Sequence, residues 1–190
     1  FRYMRGLLSI AIFYLLSFQS YSQSSDLKKI MLQLDTMADG PVRGHFKNNV
    51  LAFSGEVVSG KMSEQWLFWN AQGVLKSNSF YENGKKEGLE YLYDKEGRTL
   101  SKSNFSLGLL DGIYIEYYEL FRPALVGFYK QGKKDSVWTE YFPFGEISYT
   151  QNFKLNLQHG LQTHYYPNQE ISRLEYYTYG IKSDQWTYYH

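Results

Sequence analysis

Four large rings stand whole multiples of 24 residues apart: Trp66, Tyr114, Trp138 and Trp186. On a surface, such a row can stack on the faces of sugar rings or anchor a protein partner, because Trp and Tyr join a broad apolar face to a polar edge and dominate interface hot spots. The same column holds Glu90 and Gln162 in other copies. Two acids, Glu116 and Glu140, lie one period apart in the neighbouring column. If each period supplies two strands at about 4.8 Å, their carboxylates stand roughly 10 Å apart, the wide limit for the acid and base of an inverting glycosidase. The period imposes that separation on every column, so the pair reads as a charged solvent face.

The remaining catalytic inventory is thin. His45, His159, His164 and His190 are the only histidines, and none lies near a nucleophile elbow of the G-x-S-x-G kind. His159 falls in a turn and His164 on a strand, both read as solvent-facing. No H-E-x-x-H spacing points to a metal, and the chain has no cysteine, hence no disulfide and no thiolate ligand. The expectation is a protein that is not an enzyme and holds no cofactor. Lys61, Lys85, Lys86, Lys133, Lys134 and Lys182 follow the first glycine column and would line one long edge, a candidate surface for a lipid headgroup or polyanion. Glu87, Asp111 and Asp135 occupy the same loops, as in turns charged for solubility. With a net charge of +1 and both signs interspersed, nothing resembles a nucleic-acid footprint.

What must position these residues is a 24-residue repeat. Gly60, Gly84, Gly108, Gly132 and Gly180 share a column, with Asn156 in the gap; Gly88, Gly112 and Gly160 share another, where Glu64, Ser136 and Asp184 stand in. Trp69, Tyr93, Tyr117, Tyr141, Tyr165 and Tyr189 form a third column, and Tyr81, Phe105, Tyr129, Phe153 and Tyr177 a fourth. Such self-similarity marks an array, which presents extended surfaces and does not enclose an active site. A hydrophobic content of 43%, with 19% aromatic, excludes a disordered chain. Within one unit, Glu82-Asn83-Gly84 signals a tight turn, Leu89 to Tyr93 a strand, Asp94 to Gly97 a second turn, and Thr99 to Phe105 the returning strand. Two strands and two turns leave no room for a helix, so the expected fold is an all-β, elongated antiparallel meander of stacked hairpins.

Alternation along the first strand of each unit separates two faces. Leu89, Tyr91, Tyr93, Ile113, Ile115, Tyr117, Val137, Thr139 and Tyr141 read as the packed face, continued by Leu161, Thr163 and Tyr165. The face of Trp66, Glu90, Tyr114, Trp138 and Gln162 mixes rings with charges and reads as half-exposed. On that reading Tyr141→Ala costs about 3 to 5 kcal/mol and Trp138→Ala only about 1.

The stretch Tyr129-Lys130-Gln131-Gly132-Lys133-Lys134-Asp135-Ser136-Val137-Trp138-Thr139-Glu140-Tyr141, with its counterpart from Tyr81 to Tyr93, resembles the MORN-repeat variant of bacterial proteins. The resemblance runs from about Gly60 to His190, and Asn156, Phe121 and Gln169 depart from the family's glycines. Related chains are often labelled YwqK-family antitoxins, and the resemblance implies an elongated twisted sheet with scaffolding roles or, in some eukaryotic relatives, membrane-lipid contact.

Ahead of the repeats, Arg5, the apolar run from Leu7 to Phe18 and Ser20-Tyr21-Ser22 read as a signal peptide over residues 1–22, with Met4 as the start and residues 1–3 an upstream extension. The mature chain would then begin at Gln23 and be exported, periplasmic or secreted. Leu27, Ile30, Met31 and Leu34 fall at helical spacing, so residues 23–39 read as a short helix capping the edge of the array, or as a partner-binding helix. Residues 40–190 are the repeat array, best defined from Gly60 and with a worn first hairpin. The final strand is left as an open edge suited to self-pairing. The functional expectation is a protein-binding or scaffolding module at the cell envelope; the alternatives are a carbohydrate- or membrane-surface binder and an antitoxin-like partner of a toxin.

Overall fold

A computed structural model describes residues 34–189 and places 14 strands in one sheet. In chain order these are β1 (Gly40–His45), β2 (Leu51–Val58), β3 (Lys61–Trp69), β4 (Leu75–Glu82), β5 (Lys85–Tyr93), β6 (Thr99–Ser106), β7 (Leu109–Tyr117), β8 (Pro123–Lys130), β9 (Lys133–Tyr141), β10 (Ile147–Lys154), β11 (Leu157–Gln158), β12 (Gly160–Tyr165), β13 (Ile171–Thr178) and β14 (Ile181–Tyr188). Each strand pairs antiparallel with the next, and β11 and β12 together fill one position beside β10. The fold is the all-β meander that the repeat requires, and β1 with β2 forms the worn first hairpin.

Residues 1–22, read from sequence as a signal peptide, and Leu27, Ile30 and Met31 lie outside the described residues. Of the segment expected as an N-terminal helix only residues 34–39 are described, and Leu34–Thr36 there form a 3-10 turn. Leu34 is buried against Val57, Met62 and Trp66, so this turn covers the sheet's inner face near β2 and β3.

Both glycine columns answer to backbone geometry. Asn83 and Gly84 have φ of 50° and 80°, the pair of left-handed residues that a type I′ hairpin turn needs. The same pair recurs at Leu107–Gly108 and Leu155–Asn156, although a leucine in this conformation costs about 1 kcal/mol or more. Stacking compensates. The Gly84 amide donates to the Met62 carbonyl at 2.9 Å, Gly108 to Lys86 at 2.9 Å and Asn156 to Lys134 at 2.8 Å, so each turn is stapled to the preceding repeat. Phe121 and Gln169 likewise hold φ of 58° and 67° at the other turn, where Gly73 and Gly97 stand in their copies. The second column sits inside the strands, at Glu64, Gly88, Gly112 and Ser136, all with positive φ, where the ladders shift register. These bulges bend the strands and increase their twist.

The bend decides the faces, opposite to the expectation. Trp66 and Trp138 are 0% and 1% exposed, and Glu90 and Gln162 are buried in the same row. Leu89, Ile113, Val137 and Leu161, read from sequence as packed, are 42% to 50% exposed on the outer face, and Tyr141 is half-buried there. In a one-layer sheet no second layer covers a flat face, so the inner side fills with the side chains that span most backbone. Those are indoles, phenols and ion-paired acids.

Candidate functional site

The row containing the aromatic column crosses the sheet from Gly55 to Trp186 and alternates small and large residues as far as Trp138, continuing through Gln151, Gln162 and Glu175. Register places Trp66 opposite Ser79, Ser79 opposite Glu90, Glu90 opposite Ser103, Ser103 opposite Tyr114 and Tyr114 opposite Gly127. The Trp66 and Trp138 indoles each lie over a glycine of the preceding strand: a Cβ at Gly55 would meet the Trp66 ring at 2.2 Å, and one at Gly127 the Trp138 ring at 2.2 Å. The Trp66 indole donates to the Glu56 carbonyl at 3.2 Å and that of Trp138 to the Phe128 carbonyl at 3.1 Å. Trp138 is walled by Tyr114, Tyr129 and Phe153 at 5.8, 5.0 and 6.2 Å between ring centroids, and the Lys134 ammonium sits 4.1 Å over its face. Tyr114 is half-buried beside it. Trp66 and Trp138 are therefore core residues closed to a surface ligand; Trp186 is placed on β14 opposite Glu175. The repeat tyrosines Tyr93, Tyr117, Tyr141 and Tyr165 line the outer face beside the second turn.

Polar groups of the same inner face form three clusters. Glu90 accepts from Ser79 at 2.7 Å and pairs with Lys86. Glu175 pairs with Lys182 at 2.7 Å and Arg173 at 3.3 Å, with His164 at 3.8 Å. Burial raises the Glu175 pKa, but the Lys182 hydrogen bond and the charges of Arg173, Lys182 and His164 outweigh it and hold the carboxyl below its usual range. His164 is stacked on Tyr149 at 3.9 Å, and burial together with Arg173 pushes its pKa down. It is an interior group and not the solvent-facing strand residue expected.

The third cluster joins Glu116 and Glu140 around Lys134. Tyr114 donates to Glu116 at 2.8 Å and Gln151 to Glu140 at 3.0 Å. Both carboxylates are half-buried, contrary to the reading of a charged solvent face. Burial holds both pKa values above the ordinary carboxylate range against the pull of Lys134, and it pushes Lys134 down in turn. An acid whose folded-state pKa is raised contributes most below its unfolded pKa and loses that contribution as pH rises through the folded value. Glu116→Gln should therefore raise the melting temperature at about pH 7.5 and leave it unchanged near about pH 3.5. A lower melting point at neutral pH would show that the Glu116 charge stabilises the fold. Among the described residues no group of three or more His, Asp or Glu is placed to hold a metal ion.

The accessible chemistry is on the outer face. A row runs from Phe80 through Leu89, Ile113, Phe128, Val137 and Leu161 to Tyr176, each 41% to 50% exposed and none charged; at the β8/β9 bulge Asp135 is the register partner of Phe128. Asn104 and Asn152 interrupt it, and their side-chain amides donate to the carbonyls of Asp111 and Leu161. Along the turn edge, Leu107 and Leu155 are 71% and 52% exposed beside the exposed Lys85 and Lys133. Strand alternation alone does not expose this outer row, because it reads Leu89, Ile113, Val137 and Leu161 as core.

No protein-family model and no curated protein matches the chain. Among solved structures, the chain aligns with a mutant of S. aureus TarM in complex with Fondaparinux, alpha-GlcNAc-glycerol and UDP, at 8% identity and a TM-score of 0.24. The alignment covers 84% of this chain and 27% of that one, about a quarter of its length. A likeness at that score carries no argument about fold or function.

Proposed function

We propose that the chain is an exported, non-enzymatic MORN-like repeat module that binds protein through the outer face of its sheet. The observation that carries this reading is the uncharged apolar row from Phe80 to Tyr176. Seven large side chains at 41% to 50% exposure present on the order of 600 Å², the upper end of what a monomer leaves to water. The perturbed acids Glu116 and Glu140 are engaged with Tyr114 and Gln151 on the inner face, on the side of the sheet away from this row. A photo-activated cross-linker placed at Val137 in cells that make the protein should give a product containing a second polypeptide. The same group at Phe144, 84% exposed at a turn on the far edge, should give none. Absence of any Val137 product from folded protein would overturn the reading. The turn edge favours one other, an anionic membrane surface, because lysines and leucines alternate there. Sedimentation with anionic vesicles that is lost in Lys85→Glu/Lys133→Glu, and not in Val137→Lys, would select that edge instead.

A further inference from the structure

We propose that the outer row is the face through which two copies of this chain stack, sheet on sheet, about a two-fold axis running along β8 at Phe128. This rests on the reading of the row as a docking surface and commits to its occupant.

The row is chemically palindromic about Phe128. Register carries it across the sheet by the pairs Leu89–Asn104, Ile113–Phe128, Asn152–Val137 and Leu161–Tyr176. Four strand positions separate Phe80 on β4 from Phe128 on β8, and four separate Phe128 from Tyr176 on β13. Reversing the row therefore sets Ile113 of one copy against Val137 of the other, Asn104 against Asn152, Leu89 against Leu161 and Phe80 against Tyr176. Every position meets its own kind. That self-complementarity is what an isologous interface demands, and a two-fold axis parallel to the strands produces the reversal while turning the two outer faces toward each other.

Size and polarity agree. Two sheets packed about 10 Å apart interdigitate side chains of this kind, with strands nearly aligned. The row's roughly 600 Å², with half-buried Tyr91, Ile115, Val126 and Leu174 beside it, approaches the roughly 800 Å² each partner contributes to a stable complex. None of the row's own side chains is charged, and Asp135, the register partner of Phe128, accepts a hydrogen bond from Ser136 at 3.1 Å. The row's two asparagines already donate to carbonyls of their own chain. On one side the neighbouring outer row carries a single charge, Lys102, whose ammonium lies 5.8 Å over Tyr91; on the other stand Glu82, Lys130 and Lys154, exposed to water at the strand ends.

The absence of cysteine allows a direct test. In sedimentation-equilibrium runs the mature chain should be dimeric at tens of micromolar, and Ile113→Lys/Val137→Lys should weaken association by about 100-fold. With a short bis-maleimide, Phe128→Cys should cross-link to itself. Leu89→Cys alone should not, whereas an equal mixture of Leu89→Cys and Leu161→Cys chains should. A wild-type chain that is monomeric throughout the concentration series overturns the proposal; so does Leu89→Cys cross-linking to itself as readily as Phe128→Cys, because the reversed register is then wrong. The in-cell Val137 cross-link separates the two readings: a product of twice the chain's mass supports both, a different protein overturns self-stacking and keeps the docking surface, and no product overturns both. The cysteine variants need no disruptive substitution, so a misfolded lysine variant leaves the test intact.

Discussion

Gly127→Ala is expected to destabilise the protein by about 2 to 3 kcal/mol, although alanine ordinarily stabilises a strand relative to glycine. The backbone there is not left-handed, so conformation does not demand glycine. Space does. A Cβ would stand 2.2, 2.4 and 2.5 Å from three atoms of the Trp138 indole. The ring cannot retreat, because its N–H is committed to the Phe128 carbonyl at 3.1 Å and its sides are closed by Tyr114, Tyr129 and Phe153. Thermal or denaturant unfolding reads the effect. In the double variant Gly127→Ala/Trp138→Leu the cost should fall well below the sum of the single changes, since the smaller side chain clears the new methyl group. Additive costs would show that the two residues do not compete for one space.

The 24-residue period was enough to read the strands, the two kinds of turn and the consecutive pairing, because each depends on local backbone chemistry repeated in register. Asn83-Gly84 announces its turn, and Leu107-Gly108 follows by periodicity even though leucine alone would not. Which face is inside was not legible from strand alternation. Alternation separates two faces without saying toward which the sheet bends, and the polar residues of the inner row pointed the wrong way. Glu90 is tolerated inside because Ser79 and Lys86 satisfy it, and Glu175 because Arg173 and Lys182 do. Ser79 and Lys182 sit on neighbouring strands, so only the folded register reveals them, whereas Lys86 and Arg173 share a strand with the acids they pair with. One signal was present: Gly55 and Gly127 each stand 11 residues before a tryptophan, Trp66 and Trp138, whereas the equivalent positions in the next two repeats pair Ser79 with Glu90 and Ser103 with Tyr114. A small residue matched to the largest side chain is a packing relation, and it argues for burial of that column.

The order of two ring truncations follows from that burial and reverses what the alternation suggested. Trp138→Ala is expected to cost about 3 to 5 kcal/mol, the range for a large aromatic residue removed from a core. Trp138 is 1% exposed; its loss opens a cavity between Tyr114, Tyr129 and Phe153, strips the Phe128 carbonyl of its donor and leaves the half-buried Lys134 without the ring face beneath it. Tyr141 stands on the outer face, half-buried beside the second turn, so Tyr141→Ala removes area that water already partly reaches and should cost about 1 to 2 kcal/mol. Trp138→Phe separates volume from hydrogen bonding: it keeps much of the ring, drops the N–H, and should fall between the two. Urea unfolding of the three variants against wild type measures the order directly. If Tyr141→Ala proves as costly as Trp138→Ala, the outer tyrosine column is covered in solution, and a stacked second copy would be the first cause to examine, since the gap between the variants should then widen when Ile113→Lys/Val137→Lys dissociates the pair.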